Sequence, residues 1–111
     1  MTGIIAGNFD VIHPGYIIMF NDMNKHVNNI HVLLHIDPSI DRLEKLKPVI
    51  SVEDRIMTLL ALKGVTDVST YNDEKELKQL IIDINPEYSR VRQPHLFLGH
   101  FEPFLSFAEF A

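Results

Sequence analysis

The run 30–36, Ile-His-Val-Leu-Leu-His-Ile, is nearly continuous in aliphatic residues. A strand of that kind is buried on both faces, which puts it inside a parallel sheet covered by helices on each side. The neighbouring segments agree. Residues 3–7 read as another buried strand and 65–71 as a short third one. Each is followed by a stretch with helical character. Residues 15–28 form the first helix, with Ile17, Ile18, Phe20 and Met23 for its buried side. Ser51 caps the second, Glu53 and Asp54 sit in its first turn, and Val52, Ile56, Leu59 and Leu60 follow at helical spacing. Asn72 caps the third, where Leu77, Leu80, Ile81 and Ile84 recur at i, i+3, i+4 and i+7, and Pro86 lies just past its end. This β-α-β-α-β-α alternation predicts a three-layer α/β sandwich with a parallel sheet and helical crossovers. Ligands of such sheets bind beyond the carboxyl ends of the strands, where Gly7 and Asp37 both lie.

Composition narrows the function classes. A chain of 111 residues makes one domain, and with 46% apolar and 23% charged residues it can bury a core. The net charge of -5 argues against nucleic acid, which calls for a basic face. The chain has no cysteine, so disulfides and thiolate zinc sites are excluded. No apolar run approaches membrane-spanning length, and the first residues lack a secretory signal, so a soluble, cytoplasmic protein without membrane partners is expected. His31 and His35 share one side of a strand, but no carboxylate stands at a spacing that would complete a metal site. His95 and His100 are equally weak as ligands. Residues 1–94 read as the domain and 95–111 as a tail carrying five of the seven Phe: Phe97, Phe101, Phe104, Phe107 and Phe110. Their spacing lines one side of a helix; the alternative is a poorly ordered segment.

The most specific stretch is the turn 7–16, Gly-Asn-Phe-Asp-Val-Ile-His-Pro-Gly-Tyr. It joins the strand 3–7 to the first helix, and unpaired N–H groups with the positive end of the helix dipole favour phosphate there. The pattern G-x-F-D-x-x-H-x-G resembles the signature of the cytidylyltransferase-like branch of the nucleotidyltransferase superfamily. Asp37-Pro38-Ser39-Ile40-Asp41-Arg42, Lys45-x-Lys47-Pro48-Val49 and Glu53-Asp54-Arg55 are similar to the segment that follows the second strand in that family. Residues 62–68, Leu-Lys-Gly-Val-Thr-Asp-Val, are similar to its helix-to-strand segment. The resemblance runs over about residues 3–88.

The resemblance implies a Rossmann-like fold and a reaction in which an acceptor phosphate attacks the α-phosphorus of a nucleoside triphosphate and pyrophosphate leaves. It implies that Gly7, Asn8 and Phe9 present backbone to the nucleotide. His13 donates to the α-phosphate, and Lys45 and Lys47 neutralise the phosphates. Tyr16 and Arg55 border the nucleotide, and Asp10 and Asp37 lie near the acceptor or a metal. Mg²⁺ is expected to enter with the phosphates, with no residue assigned as its resident ligand. A homodimer is implied as well. The first activity so implied is transfer of CMP from CTP to a small phosphorylated alcohol such as glycerol 3-phosphate. An ATP-dependent adenylyltransferase and a truncated, weakly active nucleotide-binding protein are the alternatives. Two departures favour the last. Tyr16 stands where the signature has a second histidine, and a neutral phenol supplies no charge. After Tyr88 nothing matches the family's late triphosphate-binding segment; Arg90 and Arg92 are the cations nearest to that gap.

Overall fold

The computed structural model describes residues 1–41 and 47–90. In chain order these form β1 (Thr2–Gly7), α1 (Pro14–Asn24), β2 (Asn29–His35), α2 (Pro38–Asp41), α3 (Val52–Leu60), β3 (Val65–Tyr71), α4 (Glu74–Ile84) and β4 (Tyr88–Arg90). The strands make one sheet in the order β3-β2-β1-β4, and all three pairings are parallel. The expected α/β architecture is therefore present.

Side-chain alternation along the strands sorts the core into two layers. Ile5, Ile30, Val32 and Leu34 face one side, where Met19, Phe20 and Met23 of α1 and Leu59 of α3 cover them. Ile4, Ala6, Leu33 and Tyr71 face the other side, under Leu77 and Ile81 of α4. Ile4, Ile5, Val32, Leu33 and Leu34 are fully buried, as a strand covered on both faces requires. Burying a side chain such as Phe20 or Leu33 contributes about 1.5–3 kcal/mol.

The helix ends follow local chemistry. Ser51 caps α3 by accepting from Asp54 N–H. The cap of α4 is Asp73, one residue beyond the expected Asn72. Its carboxylate accepts from Glu76 N–H at 2.9 Å, and Glu76 Oε1 in turn accepts from Asn72 N–H at 2.8 Å. The two bonds satisfy one N–H in the first turn and one just ahead of the cap. Asn85 closes α4 in the left-handed conformation, ahead of Pro86.

Several expectations are corrected. Helix α1 ends at Asn24 rather than 28, because Asn28 and Asn29 N–H turn to Met1 O at the start of the sheet. Its buried side is Met19, Phe20 and Met23, while Ile17 and Ile18 are exposed. Leu60 is likewise exposed, since the sheet meets α3 along Val52, Ile56 and Leu59. Strand β4 and the short α2 were not foreseen. The Phe-rich tail lies outside the described residues.

His31 and His35 do share a face of β2, and each is held there by a structural partner. His31 Nε2 lies 2.7 Å from Ser69 Oγ, and burial pushes its pKa down, against the charge of Asp67. His35 stacks on Tyr71 at 4.7 Å. Among the described residues no group of three His, Cys, Asp or Glu is placed to hold a metal ion, and no helix is long and apolar enough to cross a membrane.

From β1 the chain proceeds outward to β2 and β3 on one side, then returns through α4 to β4 on the other. The connections thus diverge at β1, and the crevice at its carboxyl end is the binding position such a sheet creates.

Candidate nucleotide site

That crevice begins with the turn from β1 to α1. Phe9 takes a left-handed backbone conformation, φ 43°, which costs a non-glycine residue about 1–3 kcal/mol. Its ring offsets that strain by entering the core: it is 3% exposed and lies against Phe20 and Tyr16. Gly7 makes room for it, since a Cβ at residue 7 would come within 3.2 Å of the Phe9 ring. The turn is therefore pinned by its own side chain.

His13 is the N-cap of α1, with Pro14 in the first turn. Its Nδ1 accepts from Gly15 N–H at 3.0 Å. An Nδ1 that accepts carries no proton, so the neutral ring holds its proton on Nε2. The exposed imidazole thus presents one donor, at a helix N-terminus where anions are favoured. The Tyr16 ring lies 4.6 Å from that of His13 and 5.6 Å from that of Phe9.

Arg55 has a different place from the one expected. It is 3% exposed, and its guanidinium donates to main-chain carbonyls on three segments. Nη1 reaches Asn8 O and His35 O at 3.0 Å, Nη2 reaches Ile36 O at 2.8 Å, and Nε reaches Ile50 O at 3.0 Å and Ser51 O at 3.4 Å. Burial pushes its pKa down, while Asp10, Asp37 and Glu53 favour the charge. Arg55 braces the ends of β1 and β2 against the start of α3 rather than extending a free arm toward phosphate. Asp10 does related work from the turn, accepting from Val49 N–H at 2.9 Å and Ile50 N–H at 2.8 Å.

Asp37 follows β2 at the same edge of the sheet. Its Oδ1 accepts from Ser39 Oγ at 2.6 Å and Ser39 N–H at 3.0 Å. The hydroxyl bond from Ser39 is the main reason its pKa lies below the ordinary value, with Lys47 and His35 adding positive charge nearby. Lys47 is exposed, and Lys45 lies outside the described residues.

The fold thus brings Gly7, Asn8, Phe9, Asp10, His13 and Tyr16 into one turn. Arg55 ties that turn to the strand end that leads to Asp37. Sequence reasoning missed the roles of Ser39 and the 49–50 backbone. The first left a signal, since Asp-x-Ser is a side-chain-to-backbone turn. The pairing of Asp10 with residues 39 and 40 positions further on left none.

A parallel sheet that diverges at β1, with an N-capping histidine at the first strand-to-helix turn, is the arrangement the resemblance to nucleotidyltransferases implies. The model of the cytidylyltransferase-like family matches residues 4–104, and the chain belongs to that family. The match extends past Tyr88, where the motifs quoted above stop, and it takes in β4. Relatives include the FAD synthase of Methanohalophilus mahii, 29% identical over 105 residues, covering 94% of this chain and 67% of that protein. The FAD synthase of Archaeoglobus profundus is 31% identical over 88 residues, covering 78% of this chain and 55% of that protein. The chain therefore spans between about half and two thirds of the length of such relatives. Among solved structures, a lipopolysaccharide core biosynthesis protein of Thermoplasma volcanium superposes with a TM-score of 0.69 at 20% identity, over 81% of this chain and 72% of that one. That likeness concerns the fold.

Proposed function

We propose that this chain transfers a nucleotidyl group from a nucleoside triphosphate to a phosphorylated small molecule, and that the donor is ATP and the acceptor a flavin phosphate. The observation that carries the transfer is His13, whose Nδ1 accepts from Gly15 N–H and so leaves Nε2–H as the donor at the start of α1. The FAD synthase relatives favour adenylyl over cytidylyl transfer. The turn motif itself leaves CTP and glycerol 3-phosphate as the second reading.

In the reaction an oxygen of the acceptor phosphate bonds to the α-phosphorus. The bond to the bridging oxygen breaks, and its electron pair leaves with pyrophosphate. The chain positions the reactants and stabilises charge. Nε2–H of His13 donates to the α-phosphate oxygen as charge builds on it. The backbone of Gly7, Asn8 and Phe9 lines the nucleotide, and Tyr16 lies beside His13. Lys45 and Lys47 neutralise the phosphates. Both Asp10 oxygens already accept N–H groups, so Asp37 is the carboxylate that fits Mg²⁺ arriving with the triphosphate. That ion would neutralise phosphate charge. Asp10 and Arg55 serve acceptor and nucleotide by holding the turn. A homodimer belongs to the same proposal.

Pyrophosphate release with ATP and FMN, set against CTP and glycerol 3-phosphate, tests it. Release with the first pair alone is expected. Release with the second pair alone selects the cytidylyl reading, and none with either pair ends the transfer reading. His13→Ala is expected to lower turnover about 10²–10³-fold, the scale of one lost oxyanion donor.

A further inference from the structure

Four rings run from the core to the surface of the site. Phe20 is 2% exposed and Phe9 3% exposed; Tyr16 is half-buried and His13 exposed. Their successive centroid distances are 6.0, 5.6 and 4.6 Å. Tyr16 packs against the core formed by Phe9, Met19 and Phe20. Its ring meets Phe9 edge-on at 5.6 Å and lies 4.6 Å from the His13 ring with 51° between the planes. Its backbone N–H donates to His13 O at 2.9 Å, which fixes the distance between the two residues.

We infer that Tyr16 is a positioning residue for His13: its ring is the platform that holds the imidazole in the orientation where Nδ1 meets Gly15 N–H and Nε2–H is left for the phosphate. This rests on the transfer reading given above for its consequence in catalysis, but not for its geometry. The physical need is plain. A lone surface histidine rotates about two torsions, and one 3.0 Å hydrogen bond from an exposed backbone N–H does not hold it. A ring 4.6 Å away restricts the rotation, and Phe9, itself buried in the core, restricts that ring. Where the family signature has a second histidine, this chain has a ring joined to its core. It acts through the histidine that remains.

Long-range proton–nitrogen NMR of histidine-labelled protein at mildly alkaline pH reads this directly. His13→Asn assigns the His13 signals among the six histidines. Wild type is expected to show a pyridine-like Nδ1 and a pyrrole-like Nε2. Tyr16→Leu should bring the two nitrogen shifts closer together and lower kcat about tenfold with KM for the nucleotide little changed, the pattern of lost orientation. Tyr16→Phe should restore both the split nitrogens and the turnover that Tyr16→Leu loses. Tyr16→Met, of similar volume, is read the same way if the leucine variant does not fold. A splitting as wide in Tyr16→Leu or Tyr16→Met as in wild type would overturn the platform. So would a Tyr16→Phe variant as impaired as Tyr16→Leu, which would make the hydroxyl the active group. Split nitrogens in a protein that transfers no nucleotide would leave the platform standing and remove the transfer reading alone.

Discussion

At the scale of single residues, charge at this site is used first to build it. Arg55 joins Asn8, His35, Ile36, Ile50 and Ser51 through one planar fork. Lysine carries the same charge but cannot reproduce that geometry. Arg55→Lys is expected to cost about 3 kcal/mol in urea denaturation, from buried carbonyls left without a donor. A loss below about 1 kcal/mol would mean the brace is not needed. Asp37 offers a test by pH. Its folded pKa is depressed, chiefly by Ser39 Oγ, so its stabilising contribution is present above the unfolded carboxyl value and is lost as pH falls through the folded one. Ser39→Ala should move the Asp37 carbon-13 titration upward toward the ordinary value and flatten the acid limb of the stability curve. An unmoved titration would assign the depression to the Ser39 N–H, Lys47 and His35 instead.

The elements show which local features withstand packing. α4 obeys its apolar spacing and gains a cap from Asp73. α1 presents a different side from the one its aliphatics suggest, because the sheet accepts Met19, Phe20 and Met23 and leaves Ile18 outside. Between α3 and β3 the chain turns at Gly64, where φ is +88° and a Cβ would collide with the side chain of Asn24. Asn24 cannot easily withdraw, since its Nδ2 donates to Lys63 O at 2.9 Å. Gly64→Ala is expected to destabilise by about 1–3 kcal/mol, read as a lower melting temperature. Adding Asn24→Ala should recover part of that loss by removing the collision but not the left-handed strain. Full recovery would show that the backbone is not strained there.

For the whole molecule, the open question is assembly. Met57 is 70% exposed and Leu60 48% exposed on α3, beside the segment 62–68 that carries part of the family resemblance. Apolar side chains gathered on one helix face mark contact surfaces more often than isolated ones do. A homodimer through this face should appear as twice the chain mass in light scattering, and Met57→Glu with Leu60→Glu should return it to monomer. A wild-type chain that stays monomeric at high concentration would remove the dimer from the proposal.

The alternation of apolar strands with amphipathic helices determined the layers and the parallel sheet, because burial on both faces leaves a strand such as 30–36 few other places. The turn 7–16 determined where the site begins, because Gly, Pro and an N-capping side chain act within a few residues of one another. The partners of charged groups were decided only in the folded chain. Nothing near Arg55 in sequence distinguishes an arm aimed at phosphate from a brace on carbonyls. The choice depends on Asn8 and Ile36 being carried to the same point by two different strands. Tyr16 is the same kind of case. As a letter in a motif it is a missing histidine, and only the approach of Phe9, turned inward by its own backbone, makes it part of the core beneath His13.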